Sequence, residues 1–146
     1  MITTHEEFSN TSAQAVLHEA ASARASVLLA EDDRSLRRYL EIVLRRAGYE
    51  VVAAGDGLEA MKAALSGEFD AVVTDAVMPH LSGPELCRFL RTHPKLKRLP
   101  IVLLSGVDNK SASTQETSAR ADAYLSKPVR PEELTDCLAQ LVGVRL

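Results

Sequence analysis

Five times along this chain a short apolar run gives way to a helical period, and few folds accept that alternation. The runs are SVLLA (26–30), EVVAA (50–54), DAVVT (70–74), PIVLL (100–104) and AYLS (123–126). Each has the length and branched composition of a strand rather than a helix. Between them, Arg34 to Ala47 places Leu36, Leu40, Val43, Leu44 and Ala47 on one helical face and stops at Gly48. A second helix is expected from Leu58 to about Ser66, carrying Ala60, Met61, Ala64 and Leu65. A third starts near Pro84 with Leu86, Cys87, Phe89 and Leu90 and breaks before Pro94. The last opens at Pro131, where a missing N–H costs little, and carries Leu134, Leu138 and Leu141. The fourth helical slot differs: between Val107 and Tyr124, DNKSASTQETSARADA offers only alanines for burial, so a thin and mobile helix is expected there.

Alternating strands and helices imply a parallel sheet covered on both faces, because right-handed crossovers allow little else. The 146 residues suit one such domain. Residues 1–25, rich in Ser, Thr, Ala and Glu with Val16 and Leu17 as the large apolar residues of their one helical stretch, read as a flexible N-terminal extension. The domain then spans 26–146.

Composition narrows the function by exclusion. A net charge of -3 supplies no global field for nucleic acid or an anionic membrane. No apolar run reaches transmembrane length and no secretory signal opens the chain, so a cytoplasmic location is expected. Cys87 and Cys137 lie far apart in apolar helical patterns and read as reduced core thiols. His5, His18, His80 and His93 have no ligand spacing, which argues against zinc.

In open parallel sheets, ligands bind outside the carboxyl ends of the strands, where the strand order reverses. Glu31, Asp32 and Asp33 follow the first run, Asp75 the third, Ser105 the fourth and Lys127 the fifth. Two like charges about 4 Å apart repel by roughly 4 kcal/mol at an effective dielectric of about 20, so clustered acids on one rim call for a cation. Carboxylate oxygens suit Mg²⁺, which keeps several waters and takes one or two protein carboxylates beside phosphate oxygens. A carboxylate can also act as nucleophile toward phosphorus, and a lysine and a hydroxyl can hold phosphoryl oxygens. Asp33, just before RSLRR, reads instead as the cap of the first helix.

The segments LLAEDD, VVTDAVMPHLSG, PIVLLSG and YLSKPV, in that order, resemble the receiver domain of two-component response regulators. The resemblance covers about 26–146 and implies a flavodoxin-like, doubly wound five-stranded parallel sheet of order 2-1-3-4-5 with five helices. It implies that Asp75 accepts a phosphoryl group from a phosphohistidine on a sensor histidine kinase or histidine phosphotransfer protein. Asp32 would ligate Mg²⁺ directly, Glu31 through water, and the backbone carbonyl of Val77 would join Asp75 in the coordination. Lys127 would bind a phosphoryl oxygen; Ser105 would move toward the phosphate, and the Tyr124 ring would turn inward with it. The Lys127–Pro128 bond is often cis in the family. The output face would be the fourth helix, fifth strand and fifth helix, offered to a downstream target, in a monomer or weak dimer. On this reading the chain is a signalling switch and not an enzyme, although it takes part in its own phosphotransfer and dephosphorylation.

Two positions depart from the family's pattern: Arg120 stands where a glycine often closes the fourth helix, and Val107 stands where polar residues influence an attacking water. Two other functions use the same residues. A small phosphatase would want a second catalytic acid two residues beyond Asp75, where Val77 stands, and a degenerate receiver would act as a scaffold without phosphorylation. GDGLEA (55–60) matches a dinucleotide fingerprint but follows the second strand, so its glycines read as a turn into the second helix. Arg37, Arg38, Arg45 and Arg46 read as a solvated helix face, beside the phosphodonor by resemblance. Nucleic acid is not expected, since the chain ends at Leu146 with no second domain; the initial Met and the tail suggest a whole gene product.

Overall fold

The computed structural model describes residues 24–106 and 120–143. Strands β1 (Ser26–Ala30), β2 (Glu50–Ala54), β3 (Ala71–Asp75), β4 (Ile101–Ser105) and β5 (Ala123–Ser126) form one sheet. Every pairing is parallel and the order is β2-β1-β3-β4-β5, as the alternation and the resemblance implied. Four helices are described, α1 (Arg34–Arg46), α2 (Gly57–Ser66), α3 (Gly83–Thr92) and α4 (Pro131–Gly143). The expected fourth helical slot, Val107 included, lies outside the described residues, as does nearly all of the N-terminal extension.

Strand alternation sends successive side chains to opposite faces, and two cores result. Leu28, Val72, Ile101 and Leu103 pack with Ala60 and Ala64 of α2 and Leu86 and Leu90 of α3. On the other face, Leu29, Val73, Val102 and Leu104 pack with Leu40 and Leu44 of α1 and Leu134 and Leu138 of α4. Cys87 belongs to the first core and Cys137 borders the second; both are free thiols, and burial pushes Cys87 up to about 11. None of the helices among the described residues is long and apolar enough to cross a membrane.

The helix ends follow local chemistry. α1 stops in a Schellman motif: Tyr49 N–H donates to Leu44 O at 3.1 Å, Gly48 N–H donates to Arg45 O at 3.0 Å, and Gly48 takes φ 101°. α3 starts in a capping box between Ser82 and Glu85 with Pro84 in its first turn. The third and fourth strands each run one residue later than their apolar runs suggest, because ladder pairs Asp75–Leu104 and Ser105–Ser126 continue to the rim. At the other end Pro100 has no N–H to give, and Asp70 turns its side chain to the Ser26 N–H at 2.8 Å.

Gly57 corrects the reading of GDGLEA. It opens α2 with no left-handed backbone, and a Cβ there would fall 2.0 Å from Leu81 O, so the residue is small to let α2 meet the β3–α3 loop. Asp56 caps the helix through the Glu59 N–H at 2.8 Å.

Candidate functional site

β1 and β3 are neighbours at the place where strand order reverses, and their register sets Ala30 beside Thr74. The next residue on each strand, Glu31 and Asp75, therefore shares one rim. Both are buried, at 0% and 5% exposure, which is rare for carboxylates without partners. Asp32, one residue on, is exposed. One carboxylate oxygen from each of the three lies within 4.8 Å of the others.

Lys127, just past β5, reaches across β4 to this rim. Its Nζ donates to Asp75 Oδ2 at 2.8 Å and to Glu31 Oε1 at 3.1 Å. Its backbone N–H donates to Ser105 O at 2.8 Å, which ties the lysine to the end of β4, and the Lys127–Pro128 bond is cis. Burial works against the ammonium, but the hydrogen bonds it donates to Asp75 and Glu31 and their charges outweigh it and raise the lysine's pKa. Glu31 Oε2 accepts the Asp33 N–H at 3.1 Å. Burial pushes the Glu31 carboxyl up to about 7, with repulsion from Asp75 adding to it and the Asp33 amide and Lys127 opposing. Three carboxylates thus meet at a rim where, among the described residues, one ammonium pairs with two of them, Glu31 and Asp75. The deficit of positive charge, and a donor set made of oxygen, match a hard divalent cation such as Mg²⁺.

The remaining named residues frame this cluster. Asp33 caps α1, accepting from Ser35 N–H at 2.9 Å and Leu36 N–H at 3.2 Å, which separates it from the two acids before it. Ser105 ends β4 and is partly buried. Val77 projects its side chain into solvent from the β3–α3 loop, while Met78 turns into the core beneath it. The Tyr124 ring is 46% exposed and its hydroxyl accepts the Ala121 N–H at 3.1 Å, so the ring lies outward along the start of β5. Arg120 stands in the left-handed region at φ 59°, the conformation for which a glycine is the usual residue.

Two contributions escaped sequence reasoning, the close approach at Gly83 and the inward reach of Arg37, which reads in the sequence as part of a solvated helix face. Gly83 donates to Ala76 O at 2.9 Å, and a Cβ at this position would fall 2.2 Å from Asp75 O and 2.9 Å from the Ala76 Cα. α3 can therefore start directly against the end of β3. The other is Arg37, whose Nη1 donates to the Glu31 carbonyl at 2.9 Å. The sequence signal for the first is the glycine after a loop serine in LSG; for the second there is none beyond its pairing with Arg38.

A family model described as the response regulator receiver domain matches residues 27–139. The chain belongs to that family. The receiver's similarity to solved structures is close: a putative response regulator from Chloroflexus aurantiacus superposes with a TM-score of 0.78 at 36% identity, over 82% of this chain and 98% of that one. The receiver domain of the sensor histidine kinase PA1611 from Pseudomonas aeruginosa PAO1, solved with magnesium coordinated in its active-site cleft, aligns at 30% identity and a TM-score of 0.78, covering 83% and 99% of the two chains. Response regulator MprA of Mycobacterium sp. (strain KMS) is 42% identical over 108 residues, covering 74% of this receiver and 46% of MprA. The receiver therefore spans about half the length of the curated regulators it matches.

Proposed function

We propose that this receiver is a phosphorylation-dependent switch whose Asp75 accepts a phosphoryl group from a phosphohistidine on a sensor histidine kinase or histidine phosphotransfer protein. The observation that carries this reading is Lys127 Nζ bridging Asp75 and Glu31 at 2.8 and 3.1 Å while Asp32 completes an acidic triad. A carboxylate oxygen of Asp75 forms the new bond to phosphorus as the bond from the donor's histidine nitrogen breaks, and the imidazole keeps the bonding pair. Lys127 holds a phosphoryl oxygen, giving up part of its contact with Asp75. Asp75, Asp32 and the Val77 carbonyl would hold Mg²⁺, with Glu31 acting through water, and the bound ion would supply positive charge against the phosphoryl oxygens.

Ser105, joined through its carbonyl to Lys127, turns toward the new phosphoryl group, and Tyr124 gives up its hydrogen bond to Ala121 as its ring moves inward. The face around β5 and α4 is then altered for a downstream protein target. The chain acts as a phosphoacceptor in a relay rather than as an enzyme with turnover on a free substrate. Incubation with a small acyl phosphate and Mg²⁺, followed by intact mass, tests the reading: a single phosphoryl adduct is expected, lost in Asp75→Asn. Absence of any adduct, with tight partner binding, would favour a scaffold.

A further inference from the structure

Glu31 and Asp32 are held in different ways. Both oxygens of Glu31 have partners, Lys127 Nζ on one and the Asp33 N–H on the other. Asp32 is exposed and its carboxylate makes no hydrogen bond among the described residues, so its position depends on the backbone that carries it. That backbone is gripped from α1. Arg37 Nη1 donates to the Glu31 carbonyl at 2.9 Å and, more weakly, to the Asp32 carbonyl at 3.4 Å. Both bonds leave a single nitrogen of the planar guanidinium, whose charge strengthens them and whose rigid plane sets their direction.

The same nitrogen reaches the next corner of the rim. A Cβ built on Gly55 would stand 3.4 Å from Arg37 Nη1 and 3.5 Å from Glu59 Oε2, and Glu59 Oε2 itself accepts the Gly55 N–H at 3.0 Å. The Glu31 N–H donates to Ala54 O at 3.1 Å. The β1–α1 and β2–α2 corners therefore meet around one guanidinium, seated where the glycine leaves space.

We propose that Arg37 is a positioning residue for the acidic pair: by binding consecutive carbonyls it fixes the Glu31–Asp32 peptide and holds the otherwise unsupported Asp32 carboxylate at cation-binding distance from Asp75. The inference rests on the reading of the triad as a divalent-cation site. It has a sign that separates it from a simple charge effect. A guanidinium beside a cation site repels the cation, so if charge were its whole role, its removal would tighten binding. A positioning role gives the opposite result, in the way that groups supporting metal ligands commonly change affinity by 10- to 100-fold.

The test uses the full chain with Mn²⁺ as the probe, free ion being counted by electron paramagnetic resonance, alongside metal-free thermal unfolding. Arg37→Ala is expected to weaken Mn²⁺ binding by about tenfold. Arg37→Lys, which keeps the charge but loses the rigid planar donor, is expected to fall between Arg37→Ala and the wild type, and it decides the matter if the alanine variant does not fold. Unchanged or tighter binding in the folded variants overturns the proposal, including the case where only the metal-free thermal midpoint falls. A wild-type chain that binds no Mn²⁺ removes the cation-site reading and this inference with it; wild-type binding retained in both variants removes this inference alone.

Discussion

Asp33 spends its side chain on the Ser35 and Leu36 amides, whereas Asp32 next to it faces Asp75 across the rim. Asp33→Ala should lower stability by about 1 kcal/mol in urea unfolding while leaving the phosphoryl adduct at wild-type yield. Asp32→Ala should do the reverse, abolishing Mg²⁺-dependent adduct formation with a near-normal urea midpoint. Gly83 is a second test at this scale. Its Cβ position is occupied by the Asp75 carbonyl and by Leu103 Cδ1, at 2.2 and 2.8 Å, and backbone cannot yield as a flexible side chain does. Gly83→Ala should cost about 1–3 kcal/mol of stability and slow phosphorylation at Asp75, measured by urea unfolding and by the mass of the adduct. The acids and Lys127 were legible from the sequence because charged residues at the ends of apolar runs stand out. Gly83 was not, since a glycine that gives room and a glycine that gives a turn are spelled alike. Arg37 was hidden for a related reason: its task is set by where its side chain reaches, and in sequence it is one arginine of two pairs.

Among the elements, α3 carries its own pH dependence. Glu85 reaches back to the Ser82 N–H at 3.0 Å while Ser82 Oγ accepts the Glu85 N–H at 3.2 Å, and the Ser82 amide, with help from its hydroxyl, holds the Glu85 carboxyl below its ordinary 4.5. A carboxylate whose pKa is lower folded than unfolded stabilises the native state above the unfolded value, and that contribution disappears as pH falls through the folded value. Glu85→Gln should therefore flatten the part of the acid unfolding curve just below 4.5, with little change at neutral pH, followed by circular dichroism. The expected elements appear with ends shifted by one residue or so, and β3 and β4 show why. Hydrophobicity marks what is buried, but a strand ends where its ladder ends, and Asp75 and Ser105 pair despite being polar. At the start of β5, Arg91 binds the Arg120 carbonyl at 3.0 Å and Asp122 at 2.6 Å, a corner that fixes Arg120 in its left-handed conformation. The glycine expected there on the family pattern is replaced by a residue that the surrounding bonds hold in place.

For the whole molecule, a cation bound by residues from both β1 and β3 couples the site to folding. A ligand that binds only the native state at ten times its dissociation constant stabilises it by about 1.4 kcal/mol. Saturating Mg²⁺ should raise the thermal midpoint of the wild type and leave that of Asp32→Ala where it was, as read by differential scanning calorimetry. Sequence alone determined the layered α/β class, because five apolar runs spaced by helical periods can bury themselves in few ways other than a parallel sheet covered on both faces. It also determined which residue types stand at the strand ends. What only the tertiary structure decided is the sharing of one ammonium by Glu31 and Asp75, the separation of Asp33 from its neighbours, and the closeness of Gly57 and Gly83 to facing backbone. These are distances between segments far apart along the chain. Periodicity reports which face a residue takes, and only packing fixes what stands opposite it.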